Sequence, residues 1–132
     1  MQTQPMGMTE AQLEELCSTW PGARSVMKWE VDRVWSVGNQ MFAAYCTLGQ
    51  ERGRLSLRVE PDRFTDLIAL DGIATAPYTA RAFWISIVEP ELFTLAQIGG
   101  LLRVSYELAL AQAPQKLQDE LLDASAADAE TR

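Results

Sequence analysis

Residues 54–59 read RLSLRV: Leu55, Leu57 and Val59 alternate with Arg54, Ser56 and Arg58. An extended strand sends successive side chains to opposite faces, so this alternation commits the segment to a sheet with one apolar face. Such a face has to be buried against another layer. The chain has 132 residues, 48% of them apolar, which suits one globular domain that needs no disulfide or metal to hold it.

The rest of the chain supplies that second layer. Thr9 followed by Gln12 has capping-box spacing and opens a first helix, with Leu13, Leu16 and Cys17 on its inner face and Glu10, Glu14 and Glu15 toward water. The helix stops near Trp20, ahead of Pro21-Gly22. Strands are predicted over Ser25–Glu30, Val34–Val37, Met41–Leu48, Arg54–Val59 and Phe83–Val88, the third of them central in the sheet. Gly38-Asn39 is expected to make a type II′ hairpin turn, with glycine taking the positive φ. Pro61-Asp62 opens a short helix with Phe64, Leu67 and Ile68 inward, and Gly72 to Tyr78 reads as a loop. Thr94 and Gln97 repeat the capping-box spacing at the head of a long helix, whose apolar stripe is Leu95, Ile98, Leu101, Leu102, Ser105 and Leu108. Gly99-Gly100 inside that helix costs roughly 1 kcal/mol per glycine relative to alanine, for which close packing on the sheet would be the reason. The segment LQDELL is read as a further turn or two after Pro114.

The expected fold class is therefore α+β, an antiparallel sheet with helices packed on one face, in the order α-β-β-β-β-α-β-α. Residues 1–8 are expected to be a flexible N-terminus, 9–114 a single domain, and 115–132 an acidic, largely disordered tail.

Composition removes several functions. The chain has no histidine, which excludes a Ser-His-Asp triad, a His-activated cysteine and any His-ligated metal site. Acid–base chemistry would fall to carboxylates, lysine or tyrosine, and no carboxylate pair is placed for it, so no enzymatic activity is expected. Cys17 and Cys46 match no metal or redox spacing and read as buried residues. The N-terminus MQTQPMGMT has neither the basic nor the apolar part of a signal peptide, and no apolar run approaches the ~20 residues of a membrane helix, so a cytoplasmic location is expected. The net charge of -7 is unevenly spread. Asp119, Glu120, Asp123, Asp128 and Glu130 crowd the tail, whereas between Trp20 and Ala113 acid and base nearly balance and every basic residue but Lys28 is arginine. That distribution opposes strong non-specific DNA binding and leaves room for a local arginine stripe.

The pieces CSTWPGARS, VWSVGNQMFAAYCTL, RLSLRVEPDRF, APYTARAFWISI and SYELALAQAP, in this order, resemble the MmcQ/YjbR family of small bacterial proteins. The resemblance runs from about Glu10 to about Pro114. It implies a CyaY/frataxin-like fold and a DNA-binding role through a double-wing arrangement of strands and loops. It also implies a basic residue and a tryptophan close together ahead of the fifth strand, with Arg81 and Trp84 as the counterparts. This chain departs from the family in Ala80 and Ala82, where polar or basic neighbours are common, and in its acidic tail. Frataxin's iron function does not travel with the fold. Glu10, Glu14 and Glu15 read as solvated helix-face charges, and neither a cofactor nor a metal is expected.

The candidate nucleic-acid or anion-binding residues are Lys28, Arg54, Arg58, Tyr78, Arg81 and Trp84. Arginine forks match phosphate geometry, and a tryptophan beside them could stack on a base. The competing readings are an ordinary solvated strand face for Arg54, Ser56 and Arg58, and core packing for Trp29, Trp35 and Trp84. DNA, bound by a monomer, is the expected partner. The alternative is a protein-interaction or small-ligand module with Tyr78, Arg81 and Trp84 around a groove.

Overall fold

A computed structural model describes residues 7–28, 31–76 and 83–120. Helix α1 (Glu10–Cys17) opens with both bonds of the capping box: the Thr9 hydroxyl accepts from the Gln12 N–H, and the Gln12 side chain accepts from the Thr9 N–H. Strands β1 (Ala23–Lys28), β2 (Asp32–Val37), β3 (Gln40–Cys46) and β4 (Leu55–Arg58) follow as an antiparallel meander. Helix α2 (Pro61–Ile68) starts on its proline. Strand β5 (Ile73–Thr75) and strand β6 (Trp84–Ile87) precede a 3₁₀ turn (Pro90–Leu92) and helix α3 (Leu95–Ala111), which has its own complete capping box on Thr94 and Gln97. Residues 115–120 are helical again.

The sheet is six-stranded in the order β1-β2-β3-β4-β6-β5, every neighbour antiparallel. The α+β class and the near-central place of β3 match expectation. The segment read as a loop from Gly72 contains β5, an edge strand pairing Ile73 with Ile87 and Thr75 with Ile85. Its three residues are too few to show a period. The hairpin turn also differs from expectation. Gly38 (φ 54) and Asn39 (φ 67) both lie in the left-handed region, the signature of a type I′ turn, which asparagine tolerates and which suits the twist of the strands.

The helices pack on one face, over a core of Trp35, Leu57, Ile85 and Ile87 from the sheet and Ile98, Leu102 and Tyr106 from α3. The buried stripe of α3 is Ile98, Leu102, Ser105, Tyr106 and Ala109, rotated slightly from the predicted one toward Tyr106. Trp20, Phe42 and Tyr106 cluster in tilted and edge-to-face contacts with centroids 5.3 to 6.0 Å apart, and the Arg103 guanidinium lies over Trp20 and Tyr106. Close packing does not account for the α3 glycines. A Cβ on Gly99 would meet only Leu16 Cδ2, at an ordinary 3.5 Å, and one on Gly100 would meet nothing within 4 Å.

The register slips between Trp35 and Ser36, which pair with Ala43 and Met41 and leave Phe42 as the extra residue of a β-bulge. Ser105 of α3 fills the gap this makes between β3 and β4. Its hydroxyl donates to the Phe42 carbonyl at 2.6 Å and accepts from the Arg58 N–H at 2.9 Å. A helix side chain thus stands in for a broken ladder hydrogen bond.

Candidate functional site

Strand register places the candidate residues. Arg24, Val26 and Lys28 of β1 pair with Ser36, Val34 and Asp32 of β2. Val34 pairs with Ala44, Ala44 with Ser56, and Ser56 with Ser86. These residues share the face turned away from Trp35 and Leu57. Asp32 pairs with Cys46, whose N–H donates to the Arg54 carbonyl, so Lys28, Asp32, Cys46 and Arg54 form one cross-strand row. Arg24 and Arg58 lie toward the opposite end of the same face, near the β2–β3 hairpin. With ~3.3 Å per residue along a strand and ~4.8 Å between strands, the basic side chains mark the corners of a patch about 13 by 14 Å.

This face is not the bare row expected of Arg54, Ser56 and Arg58. Val34 and Ser86 have no exposed surface, and Arg54, Ser56 and Arg58 are half-buried. The Ser56 and Ser86 hydroxyls are 2.7 Å apart, so polar side chains in mid-sheet satisfy one another instead of water. Trp84 is 7% exposed and pairs with Arg58, which makes it a packing residue and removes it as a stacking surface. Tyr78 and Arg81 lie outside the described residues, as does Trp29.

The two ends differ electrostatically. Arg54 pairs with Glu51 at 2.8 Å, and Lys28 stands opposite Asp32. Burial, then the Glu51 charge, raises the Asp32 pKa above the ordinary carboxylate value. At the other end, Arg24 is exposed with no ion pair among the described residues, and Arg58 Nη2 donates to Gln112 at 2.9 Å, just past the end of α3. Asp32 is the residue of this face that strand-by-strand reading left out, and Arg24, like Lys28, joins the basic patch only if its strand shares a face with Arg54 and Arg58, which the register supplies. Each is ordinary within its own strand and gains its place only from register.

The α1 carboxylates are not simply solvated. Glu10 accepts from Arg33 Nε at 2.6 Å, and Glu14 accepts from the Trp35 indole at 2.9 Å. They tie α1 to β2, and Glu15 alone is left fully at the surface. The Cys17 thiol is pushed up to about 12 by burial and then by the Glu14 charge, which makes it inert. Cys46 is half-buried and donates to the Leu48 carbonyl. Among the described residues no cluster of three or more His, Cys, Asp or Glu is arranged to hold a metal ion, and no helix is long and apolar enough to cross a membrane.

A concavity lies between α2 and the first half of α3. It is a groove of about 400 Å³ with Leu67, Leu70, Ile73, Phe93 and Leu101 on its walls and Arg63 at its rim.

A family model described as YjbR matches residues 18–108. The crystal structure of Deinococcus radiodurans protein DR2400, with domain DUF419, is similar at a TM-score of 0.75 and 25% identity, over 92% of this chain and 91% of that one. A Pseudomonas syringae protein of known structure is similar at a TM-score of 0.64 and 17% identity, over 77% of this chain and 99% of that one, a likeness of fold. No curated protein matches the chain.

Proposed function

The chain belongs to the YjbR family, and on that premise we propose that it is a non-enzymatic binding protein that takes the phosphate backbone of nucleic acid on its outer sheet face. The observation that carries this reading is the register that brings Arg24, Lys28, Arg54 and Arg58 onto one face of a chain whose net charge is -7. Against these stand Asp32 on the face and Glu51 at its edge, so the patch is locally positive within an acidic protein. Duplex DNA carries one charge per roughly 1.7 Å of axis, and a patch about 13 Å long spans several phosphates. The Arg54–Glu51 pair does not block such contact. Both side chains reach solvent, and exposed pairs are worth about 0–1 kcal/mol, less than a guanidinium gains from a phosphate fork. The lack of histidine and the inert Cys17 thiol support the non-enzymatic half of the reading.

Fluorescence anisotropy with a short duplex and a single strand, over a salt series starting near 20 mM, tests the proposal. Four basic contacts set a limit of about -3 to -4 for the slope of log K against log salt on duplex, and the repulsion from the net negative charge makes the observed slope shallower than this. Arg24→Ala and Arg54→Ala should each reduce the slope by about one, uniformly across sequences. Glu51→Gln should tighten binding by removing the competitor for Arg54. No binding of either strand form at the lowest salt would remove nucleic acid as the ligand.

A further inference from the structure

We propose that the groove between α2 and α3 is a binding site for a small monocarboxylate with a short apolar tail. It shares no residue with the outer sheet face, and neither reading depends on the other.

The walls set the tail. Leu67 and Ile73 are buried beneath the groove, Phe93 and Leu101 are half-buried, and Leu70 stands 48% exposed at its side. About 400 Å³ falls within the range of small-molecule sites, roughly 300–1,000 Å³.

Gly100 explains why the space exists. It lies in the interior of a seventeen-residue helix, where glycine is the poorest choice after proline. Its backbone is not in the left-handed region, and a Cβ there would touch nothing within 4 Å. Neither conformation nor packing calls for glycine at this position. Its consequence is an open groove, which any longer side chain would enter.

The polar groups set the head. Arg63 is the single charged residue in the lining and makes no ion pair among the described residues. Gln97 uses its amide oxygen to accept from the Thr94 N–H at 2.8 Å, which leaves its amide NH₂ as the second side-chain donor of the lining. Arginine has donors only. A site whose available side-chain polar groups all donate selects an acceptor, and a guanidinium and an amide NH₂ in one lining suit a carboxylate.

The probe is sodium octanoate, titrated into the full-length ¹⁵N-labelled chain, with octan-1-ol and sodium acetate as separate arms. Octanoate should shift the amides of Gly100, Ala96 and Leu67 in a saturable way, with half-saturation at roughly 1 mM or below. Octanol should bind at least tenfold more weakly, and acetate should not saturate. Gly100→Leu should abolish the octanoate shifts, and Arg63→Gln should weaken octanoate to the level of octanol while leaving octanol unchanged. Arg63 is exposed, so that variant keeps the test open should Gly100→Leu fail to fold. The proposal is overturned by non-saturating octanoate, by octanol binding as tightly as octanoate, or by an Arg63→Gln variant that binds octanoate undiminished.

Discussion

Ser105 is buried in mid-helix, a place where serine is a poorer helix former than alanine. Its two hydrogen bonds, to the Phe42 carbonyl and from the Arg58 N–H, explain it, because the bulge would otherwise orphan both groups. Ser105→Ala should therefore cost about 1–3 kcal/mol in urea unfolding, the range for leaving buried polar groups unsatisfied, whereas an alanine at an exposed helix position would cost nothing. A sequence read one strand at a time places Ser105 on the apolar stripe without a role, since the role depends on a register slip elsewhere. Cys17 gives a second prediction. Its pKa rises from 9.0 to about 12 on folding, so between these values the folded chain keeps a proton that the unfolded chain has lost. Stability contributed by the neutral thiol is complete below pH 9 and declines as pH rises toward 12, by up to about 1.4 kcal/mol per unit. Urea midpoints of Cys17→Ala and the parent, compared at pH 8 and 10.5, should move in favour of the variant at the higher pH.

Among the elements, both capping boxes were legible because their partners lie three residues apart, and a local bond needs only local sequence. The single-faced pattern of β4 was legible for the same reason. The bulge at Phe42 was not, because MFAAYC has no period of its own and the slip is fixed by the partner strand. The candidate site divides in the same way: the parity of Arg54 and Arg58 follows from their strand, while their alignment with Lys28 and Arg24 follows from pairing across three strand boundaries. The β2–β3 hairpin anchors this alignment. A Cβ on Gly38 would come 2.5 Å from Leu117 Cδ2 and 3.0 Å from Ala113 Cβ, at a φ of +54° that already disfavours a side chain by about 1–2 kcal/mol. Gly38→Ala should thus lower the urea midpoint well beyond the effect of Asn39→Gly, which keeps the type I′ turn and should be nearly silent.

At the scale of the whole molecule, charge is the property that composition exposed but could not place. The chain carries -7 overall, yet the outer sheet face gathers Arg24, Lys28, Arg54 and Arg58. A polyanion approaching that face feels two opposed fields: attraction within a few ångströms from the guanidinium groups, and repulsion at longer range from the net negative body. Salt treats the two differently. The Debye length is about 10 Å at 0.1 M, so moderate salt screens the long-range repulsion before it has removed close phosphate contacts. Neutralising Asp123, Asp128 and Glu130 with Asn, Asn and Gln tests this directly, because it reduces the net charge from -7 to -4 and leaves Arg24, Lys28, Arg54 and Arg58 unchanged. On the proposed nucleic-acid reading, the triple variant should bind a short duplex several-fold more tightly than the parent near 20 mM salt. The two proteins should converge by about 0.3 M, where screening acts within roughly 6 Å, and they should retain the same contribution from Arg24. An equal gain at all salt concentrations would mean that these carboxylates compete for the arginines directly, not through the molecule's net field.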